Sequence, residues 1–461
     1  MNKHYIIVFL IGFLLYSNTL LNKYALDDKI AITENIFTKQ GFSGIKDILT
    51  TDLFVGFYGT DKNLVAGKRY RPLSLVTFAV EYQLFRENPF ISHLINVLLY
   101  AFTGILLYML LLRFLPDKKE VPWHWSAAFI STALYLAHPL HTEVVANIKG
   151  RDEILALLGA LGALYFTIKW LDGSNLKNLT YSFLCMFFAM FAKENAITFL
   201  FIVPVAVYFF TRHSVKANLI SLIPLLLATA LYIIIRLYLF GLPDTSAEGE
   251  LMNNPFINAT TGEKYATVFY TLGLYIKLLI FPHPLTHDYY PFQIPIMSWG
   301  DYRAIISLLI YLALVFLAFA GLKNKKPTSF GIITYLASLS IVSNLVFPVG
   351  SFMNERFMYM PSIGFCMILG FALTKTKYLI VAKSFIIILF ALYGYKTISR
   401  NSVWKNDFTL ATTDVKVSSN SAKANMSAGL SLITKAQTDA QGIEKTKLLN
   451  EAVSYLNRSL S

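Results

Sequence analysis

Charge is what this chain has least of. Asp, Glu, Lys and Arg make up 15% of its 461 residues, and hydrophobic residues make up 55%. A soluble protein carries about 25% charged residues, so an ordinary soluble domain is excluded. Cysteine is scarce too. Cys185 and Cys366 both fall inside apolar runs; they read as small core residues and say nothing about redox compartment. The apolar runs lack period-two alternation, which excludes a membrane barrel. No HExxH spacing occurs, so that helical zinc motif is missing. The first apolar run follows Lys3 and has no small-residue cleavage site, so it reads as an uncleaved anchor.

What is present is a series of continuous apolar runs, many long enough to cross about 30 Å of hydrocarbon as helices. They predict an all-α polytopic membrane protein with about 11 transmembrane helices. The spans lie near 5–21, 91–114, 124–139, 153–170, 179–192, 197–211, 218–240, 302–322, 328–347, 357–374 and 378–396. A net charge of +13 suggests nucleic acid at first sight. The basic residues, however, gather in alternate short loops: Arg113, Lys118 and Lys119; Lys169 and Lys177; Arg212 and Lys216; Lys323, Lys325 and Lys326; Lys375 and Lys377. Basic residues hold such loops in the cytoplasm. This places the N-terminus inside and the C-terminus outside, with no nucleic-acid partner. Residues 265–281 would break the alternation if they crossed, so they read as an interfacial or re-entrant helix on the outer side. Residues 41–58 and 71–86 read as amphipathic segments of a first outer loop, about 22–90.

Sorted this way, the polar clusters share one face. "DD" at 27–28, "HPLHTE" at 138–143, "KGRDE" at 149–153, "KEN" at 193–195, "PLTHDYY" at 284–290 and "NER" at 354–356 all fall at outer ends. Chance scatter would put several of them inside, so they point to one site at the outer surface. Asp27 and Asp28 are candidate general bases, because an apolar boundary and a second carboxylate both raise a carboxyl pKa. Helix capping is the plainer reading of either. Arg71, Arg151, Lys193 and Arg356 offer up to four cations for one anionic headgroup. Against that stand a salt-bridged helix start at Arg151, Asp152 and Glu153, and a tight polar turn at Lys193 and Glu194. His138, His141 and Glu143 bring a metal to mind, but Pro139 breaks the helix between the histidines. No cofactor is predicted as required, and a divalent cation is not favoured. Asp288, Tyr289 and Glu355 complete the candidate set. Tyr289, Tyr290 and Tyr359 read either as belt aromatics or as a sugar-stacking surface. A base, several cations and a membrane-level pocket suit group transfer from a phosphate-bearing lipid to a hydroxyl. The sugar–phosphate bond breaks through an oxocarbenium-like state. Cations stabilise the departing phosphate, and a carboxylate takes the hydroxyl proton.

"YALDDKIAITEN", "YRPLS", "HPLHTEVVANIKGRDEILAL", "AKENAITF", "LIFPHPLTHDYY" and "ERFMYMPSIGF" occur in that order. With them the chain resembles, over essentially its whole length, the transmembrane and tetratricopeptide-repeat family of protein O-mannosyltransferases in a bacterial form. That family lies within the C-type glycosyltransferases. The resemblance implies the C-type glycosyltransferase fold over residues 1–398 and a polyprenyl-phosphate donor carrying mannose. It implies a protein hydroxyl acceptor and inverting transfer with Asp27 as base. Asp28 would position the acceptor or tune Asp27, the motif Arg and Lys residues would bind lipid phosphate, and no metal would be needed. Residues 399–461 are polar. "AKANMSAGLSLITKA" and "LLNEAVSYLNRSLS" look like the two helices of one tetratricopeptide-like unit, with Ala424, Ala428, Gly429, Ala452 and Leu456 at packing positions. The spacer between them is longer than the repeat allows, and its terminal proline is absent. A lone repeat cannot bury its own face. The tail is therefore expected to be truncated or to pack on the membrane domain or a partner, and to contact the acceptor. The expected location is the inner membrane, with the site and C-terminus periplasmic. The alternatives are a lipid or glycan acceptor, a transporter or flippase, and a non-catalytic repeat-bearing scaffold. A transporter would place polar residues near span centres, and these are nearly all apolar. A scaffold leaves the acidic and basic clusters unexplained.

Overall fold

The computed structural model describes residues 3–60, 68–117, 121–242 and 254–460. Lys118 and Lys119 lie outside the described residues. Every regular element among the described residues is helical. The longer helices, in chain order, are α1 (Lys3–Tyr16), α2 (Pro72–Phe85), α3 (Pro89–Phe114), α4 (Ala127–Ala137), α5 (Arg151–Gly173), α6 (Leu176–Ala192), α7 (Phe199–Phe210) and α8 (Val215–Phe240). They continue with α9 (Thr261–Ile280), α10 (Tyr302–Ala320), α11 (Pro327–Ser340), α12 (Ser362–Thr374), α13 (Leu379–Val403), α14 (Asp407–Asp414), α15 (Ala422–Thr438) and α16 (Gly442–Leu460).

Among the described residues, six segments are long and apolar enough to cross a membrane: Lys3–Leu21, Pro89–Phe114, Ile148–Gly173, Val215–Phe240, Tyr302–Ala320 and Leu379–Val403. Shorter apolar segments accompany them at Ala127–Ala137, Leu176–Ala192, Glu194–Phe210 and Ser362–Thr374. These fall on all of the expected spans but the run 328–347, which is helical only to Ser340 and then turns. Helix α9 is not among the six. It opens with a capping box between Thr260 and Glu263 and carries Lys264 and Lys277 along its length.

Local chemistry sets these ends. Proline occupies the first turn of α2, α3 and α11, where its missing N–H costs nothing. Asn88, Ser126, Asn175 and Ser214 cap α3, α4, α6 and α8 with their side chains. Small residues then allow close helix contact. A Cβ on Gly364 of α12 would sit 2.2 Å from the Gly331 carbonyl of α11.

One large apolar core joins α1, α3 to α8, α12 and α13. A second joins α9 to α11 with residues 285–294 and 352–358. A third joins residues of the first loop to Ile148. In that loop, residues 41–58 form separate short helical turns instead of one amphipathic segment, whereas α2 covers the expected 71–86. The tail spacer is also shorter than the sequence suggested. Helix α16 starts at Gly442, so only residues 439–441 separate it from α15.

The basic loops meet at one end of the bundle. Lys375 pairs with Asp117 at 2.6 Å, and Arg113 with Asp172 at 2.7 Å. Arg113, Arg212 and His213 line one pocket there, and Lys325 lies over the Tyr208 ring. The polar clusters converge at the other ends of these helices.

Candidate functional site

Asp27 and Asp28 follow a bend at Leu26, which takes a left-handed φ of 54°. A bulky residue adopts this only when its surroundings impose it. Here the Leu26 N–H donates to Asp407 Oδ1 at 2.6 Å. The Leu26 side chain packs with Ala146, Trp404 and Leu410, and Lys29 pairs with Asp407 at 3.1 Å. A π-helical turn, Lys29–Thr33, then carries the chain away.

The two carboxylates differ sharply. Asp28 is buried. Its Oδ2 accepts the Ala25 N–H at 2.9 Å and its Oδ1 accepts the Lys149 N–H at 2.7 Å. Burial pushes its pKa up to about 7 against those two bonds, with Asp27 and Asp407 adding to the rise. Asp27 keeps 32% of its side chain exposed, and its Oδ2 lies 3.5 Å from Arg356 Nη1. Burial of its surroundings works against its charge. Arg356, Lys149 and Arg69 more than offset this, so Asp27 is held below the usual carboxylate range. It is an ionised, accessible carboxylate, while Asp28 is a brace.

Arg356 bridges Asp27 and Glu143. Its Nη1 lies 3.2 Å from Glu143 Oε1, and its backbone N–H donates to Glu143 Oε2 at 3.3 Å. Burial raises the Glu143 pKa, and Arg356 and His287 counter it. Around this core the charges pair closely. Arg71 forms a two-pronged contact with Glu194 at 2.9 and 2.6 Å and reaches Asp152 at 3.2 Å. Lys149 reaches Asp152 at 2.9 Å, and Lys193 pairs with Glu153.

Arg151 is placed differently from a phosphate clamp. It is fully buried over the Phe78 ring. Its guanidinium donates to Asn96, Thr77, Glu81 and the Ser92 carbonyl, which uses all five of its N–H groups. It ties α5 to α2 and α3. The histidines are likewise engaged by the protein. His138 Nε2 bonds the Leu279 carbonyl at 3.0 Å and its Nδ1 accepts from the Leu140 N–H. His141 bonds the Tyr100 hydroxyl at 2.9 Å and Ser362 Oγ at 2.8 Å. Three of these ring nitrogens hold the turn after α4 to α3, α9 and α12.

The segment 284–290 closes the site from the tail side. Glu355 is buried and its Oε1 accepts the Thr286 N–H at 2.6 Å and the Tyr289 hydroxyl at 2.9 Å. Burial pushes its pKa up to about 8, with Arg400 opposing and Glu143 adding to the rise. His287 donates its backbone N–H to Asp414 Oδ2 at 2.7 Å, with Nδ1 2.9 Å away. Arg400 clamps both oxygens of Asp414, at 2.5 and 2.7 Å. Burial works against the His287 charge, but Asp414 more than offsets it and holds the imidazole above its usual pKa. Burial raises Asp288, which accepts the Tyr290 N–H. The tail locks on here. Ser418 Oγ donates within reach of Thr286 and Asp288, at 2.7 and 2.6 Å, and Ser421 Oγ donates to the Tyr290 carbonyl at 3.0 Å.

The structure places these sequence candidates in two groups of contacts: Asp27 and Glu143 on Arg356, and Arg71, Asp152, Glu153, Lys193 and Glu194, joined where the Glu153 N–H donates to Asp152. The sequence reading missed Arg69, Asp407, Arg400, Asp414 and Lys423. The tail residues carry no motif, and their partners lie far away in sequence. Arg69 sits two residues before the Arg71 that the motif reading took, so proximity was the available signal.

No family model matches the chain. It is 27% identical over 445 residues to human protein O-mannosyl-transferase TMTC3, covering 88% of this chain and 47% of that protein. It is 27% identical over 442 residues to the Caenorhabditis elegans protein O-mannosyl-transferase F38B6.6, covering 93% and 59%. It is 27% identical over 509 residues to human protein O-mannosyl-transferase TMTC2, covering 90% and 58%. The chain spans about half the length of the curated relatives it matches. Relatives that cover most of the chain support the family assignment read from its motifs.

Proposed function

We propose that this multi-pass membrane protein is a glycosyltransferase. It moves a sugar, mannose by the resemblance, from a polyprenyl-phosphate donor to a hydroxyl of a protein acceptor. The supporting observation is the environment of Asp27, an accessible ionised carboxylate beside Arg356 at the end where every polar cluster meets. In the proposed step the acceptor oxygen forms a bond to the sugar C1 on the face opposite the phosphate. The C1–O bond to phosphate breaks, and its electron pair leaves on the phosphate oxygen. The hydroxyl proton passes to Asp27. Attack from the opposite face inverts the sugar carbon.

Asp28 holds the loop that presents Asp27. Arg356, fixed by Glu143, sits where negative charge develops. The reading includes about eleven crossings, the site on the outer, periplasmic face of the inner membrane, and the tail as an acceptor wall. The tail is bonded to residues 286–291, next to the site, which supports that last part.

The test uses purified protein in lipid, radiolabelled polyprenyl-phosphate mannose and a mixed periplasmic protein extract. The expected result is label moving to protein with the wild type and not with Asp27→Asn. Equal transfer by the variant would remove Asp27 as the base. Transfer only from another sugar–lipid phosphate would remove mannose alone.

A further inference from the structure

Transfer turns a phosphate diester into a monoester, so the leaving group gains negative charge. Most cations near Asp27 are already committed. Arg71, Lys149 and Lys193 sit in ion pairs with Glu194, Asp152 and Glu153, and Arg151 has every donor filled.

Arg69 differs. Its backbone is pinned: its N–H donates to Asp52, and its carbonyl accepts the Leu53 N–H at 3.1 Å. The next residue, Tyr70, is buried against Phe191, Tyr232 and Phe240, which fixes the stretch to the apolar body of the bundle. The half-buried guanidinium lies 5.5 Å from the centre of the Phe54 ring. Among the described residues it makes no hydrogen bond and no ion pair. Burial and the neighbouring Arg71 and Arg356 bring its pKa down to about 10, so it stays charged at neutral pH.

Lys423 is the matching case. It lies in the first turn of α15, with Nζ 5.0 Å from the centre of the Tyr290 ring, and makes no ion pair among the described residues. The charged groups that act on it are Asp288, Arg69, Arg356 and Asp27. Two half-buried cations from opposite ends of the chain therefore stand beside the site's own segments, Arg69 two residues before the Arg71 that reaches Asp152, and Lys423 over Tyr290 two residues after the Ser421 that reaches Asp288. A cation withdrawn from water without a partner is destabilising, and an anionic ligand relieves that cost.

We propose that Arg69 and Lys423 bind the phosphate of the lipid donor beside Asp27, so that the C-terminal helical unit completes the donor site. This rests on the transfer reading above. Arg69 offers a planar fork suited to two phosphate oxygens, and Lys423 a point charge. Neither has to leave a protein partner when the phosphate arrives.

The test uses the full chain in lipid, with two readouts. One is binding of polyprenyl monophosphate, which carries no sugar and needs no acceptor. The other is steady-state transfer at varied donor and varied acceptor. The variants are Arg69→Ala, Arg69→Lys, Lys423→Ala and Lys423→Arg, with Lys447→Ala on the exposed face of α16 as the control. Arg69→Ala and Lys423→Ala should each weaken polyprenyl-phosphate binding and raise the donor KM roughly 10- to 100-fold, the range for one charge-assisted contact. Acceptor KM should hold, and the conservative variants should recover most of the loss. Wild-type binding by either alanine variant, with transfer intact in the wild type, overturns the proposal and leaves the function reading standing. Binding that depends on Arg69 and Lys423 without any transfer by the wild type keeps this site and overturns the function reading. Absence of both binding and transfer overturns both.

Discussion

At the scale of single residues, "DD" shows how little a motif says about roles. The pair was visible in sequence and the resemblance assigned it roles, but the difference in environment between the two carboxylates was not legible. It depends on the Lys149 N–H, which donates to Asp28 Oδ1 from 121 residues away. An amide in place of Asp28 keeps one acceptor oxygen and turns an N–H₂ toward a backbone donor. Asp28→Asn should therefore cost about 1–3 kcal/mol of stability, seen as a lowered Tm. Asp27→Asn should keep the wild-type Tm and lose roughly 10²- to 10⁴-fold in kcat. The reverse pattern would exchange the two roles. Arg356 adds a pH signature. Its charge is the largest influence holding the Asp27 pKa down against burial. Arg356→Gln should let that pKa rise, so the base is protonated over more of the acid range. The acid limb of kcat/KM then moves to higher pH, and an unmoved limb would show that Arg356 does not tune the base. The arginines were legible as a class but not individually. Arg151 and Arg71 look alike in sequence, and only burial with all five donors filled marks Arg151 as a brace.

At the scale of elements, the joint between α13, α14 and the 284–290 segment decides whether the tail stays on the site. Arg400, Asp414 and His287 form a buried charged cluster. Removing one member of such a cluster costs about 3–5 kcal/mol, because the others are left buried and unpaired. Asp414→Asn should expose residues 415–421 to limited proteolysis at protease levels that leave the wild type intact. Equal resistance would show that the Asp407, serine and backbone contacts hold the tail without the cluster. Glu355 supplies the second element-scale expectation. Its pKa rises from 4.5 to about 8 on folding, the direction opposite to a salt-bridged carboxylate. Its contribution is fully present below the unfolded value and is lost as pH rises through about 8. Wild-type Tm should thus fall between pH 6 and 9 more than that of Glu355→Gln, and parallel curves would remove Glu355 as the source. Long apolar helices and α2 were readable here because their periodicity and first-turn prolines are local signals. The start of α16 at Gly442 was not, because "GIEKTK" carries no apolar repeat and gains its helix from the elements beside it.

At the scale of the whole molecule, charge sorting and geometry agree on which loops share an end. Lys375 with Asp117, Arg113 with Asp172 and Lys325 over Tyr208 draw the basic loops together. Asp27, Glu143, Arg356 and the tail meet at the far ends of the same helices. This much was legible because the bias of Lys and Arg is written into short loops. How the tail would seat was not, because its contacts are Asp407, serine hydroxyls, backbone bonds and one buried ion cluster, none of them in a motif. The shared ends group the loops by side; the proposed absolute direction rests on the positive-inside rule alone. Replacing Cys185 and Cys366 with Ala gives a chain without thiols, since these are the 2 cysteines present. On that background, Ser214→Cys reports the basic end and Thr438→Cys the tail. A membrane-impermeant maleimide should label Thr438→Cys in spheroplasts and label Ser214→Cys only after the membrane is opened. The inverse pattern would put the polar site on the cytoplasmic face and leave a periplasmic acceptor without access to it. Labelling of both from one side would break the single-bundle geometry on which every contact between tail and site depends.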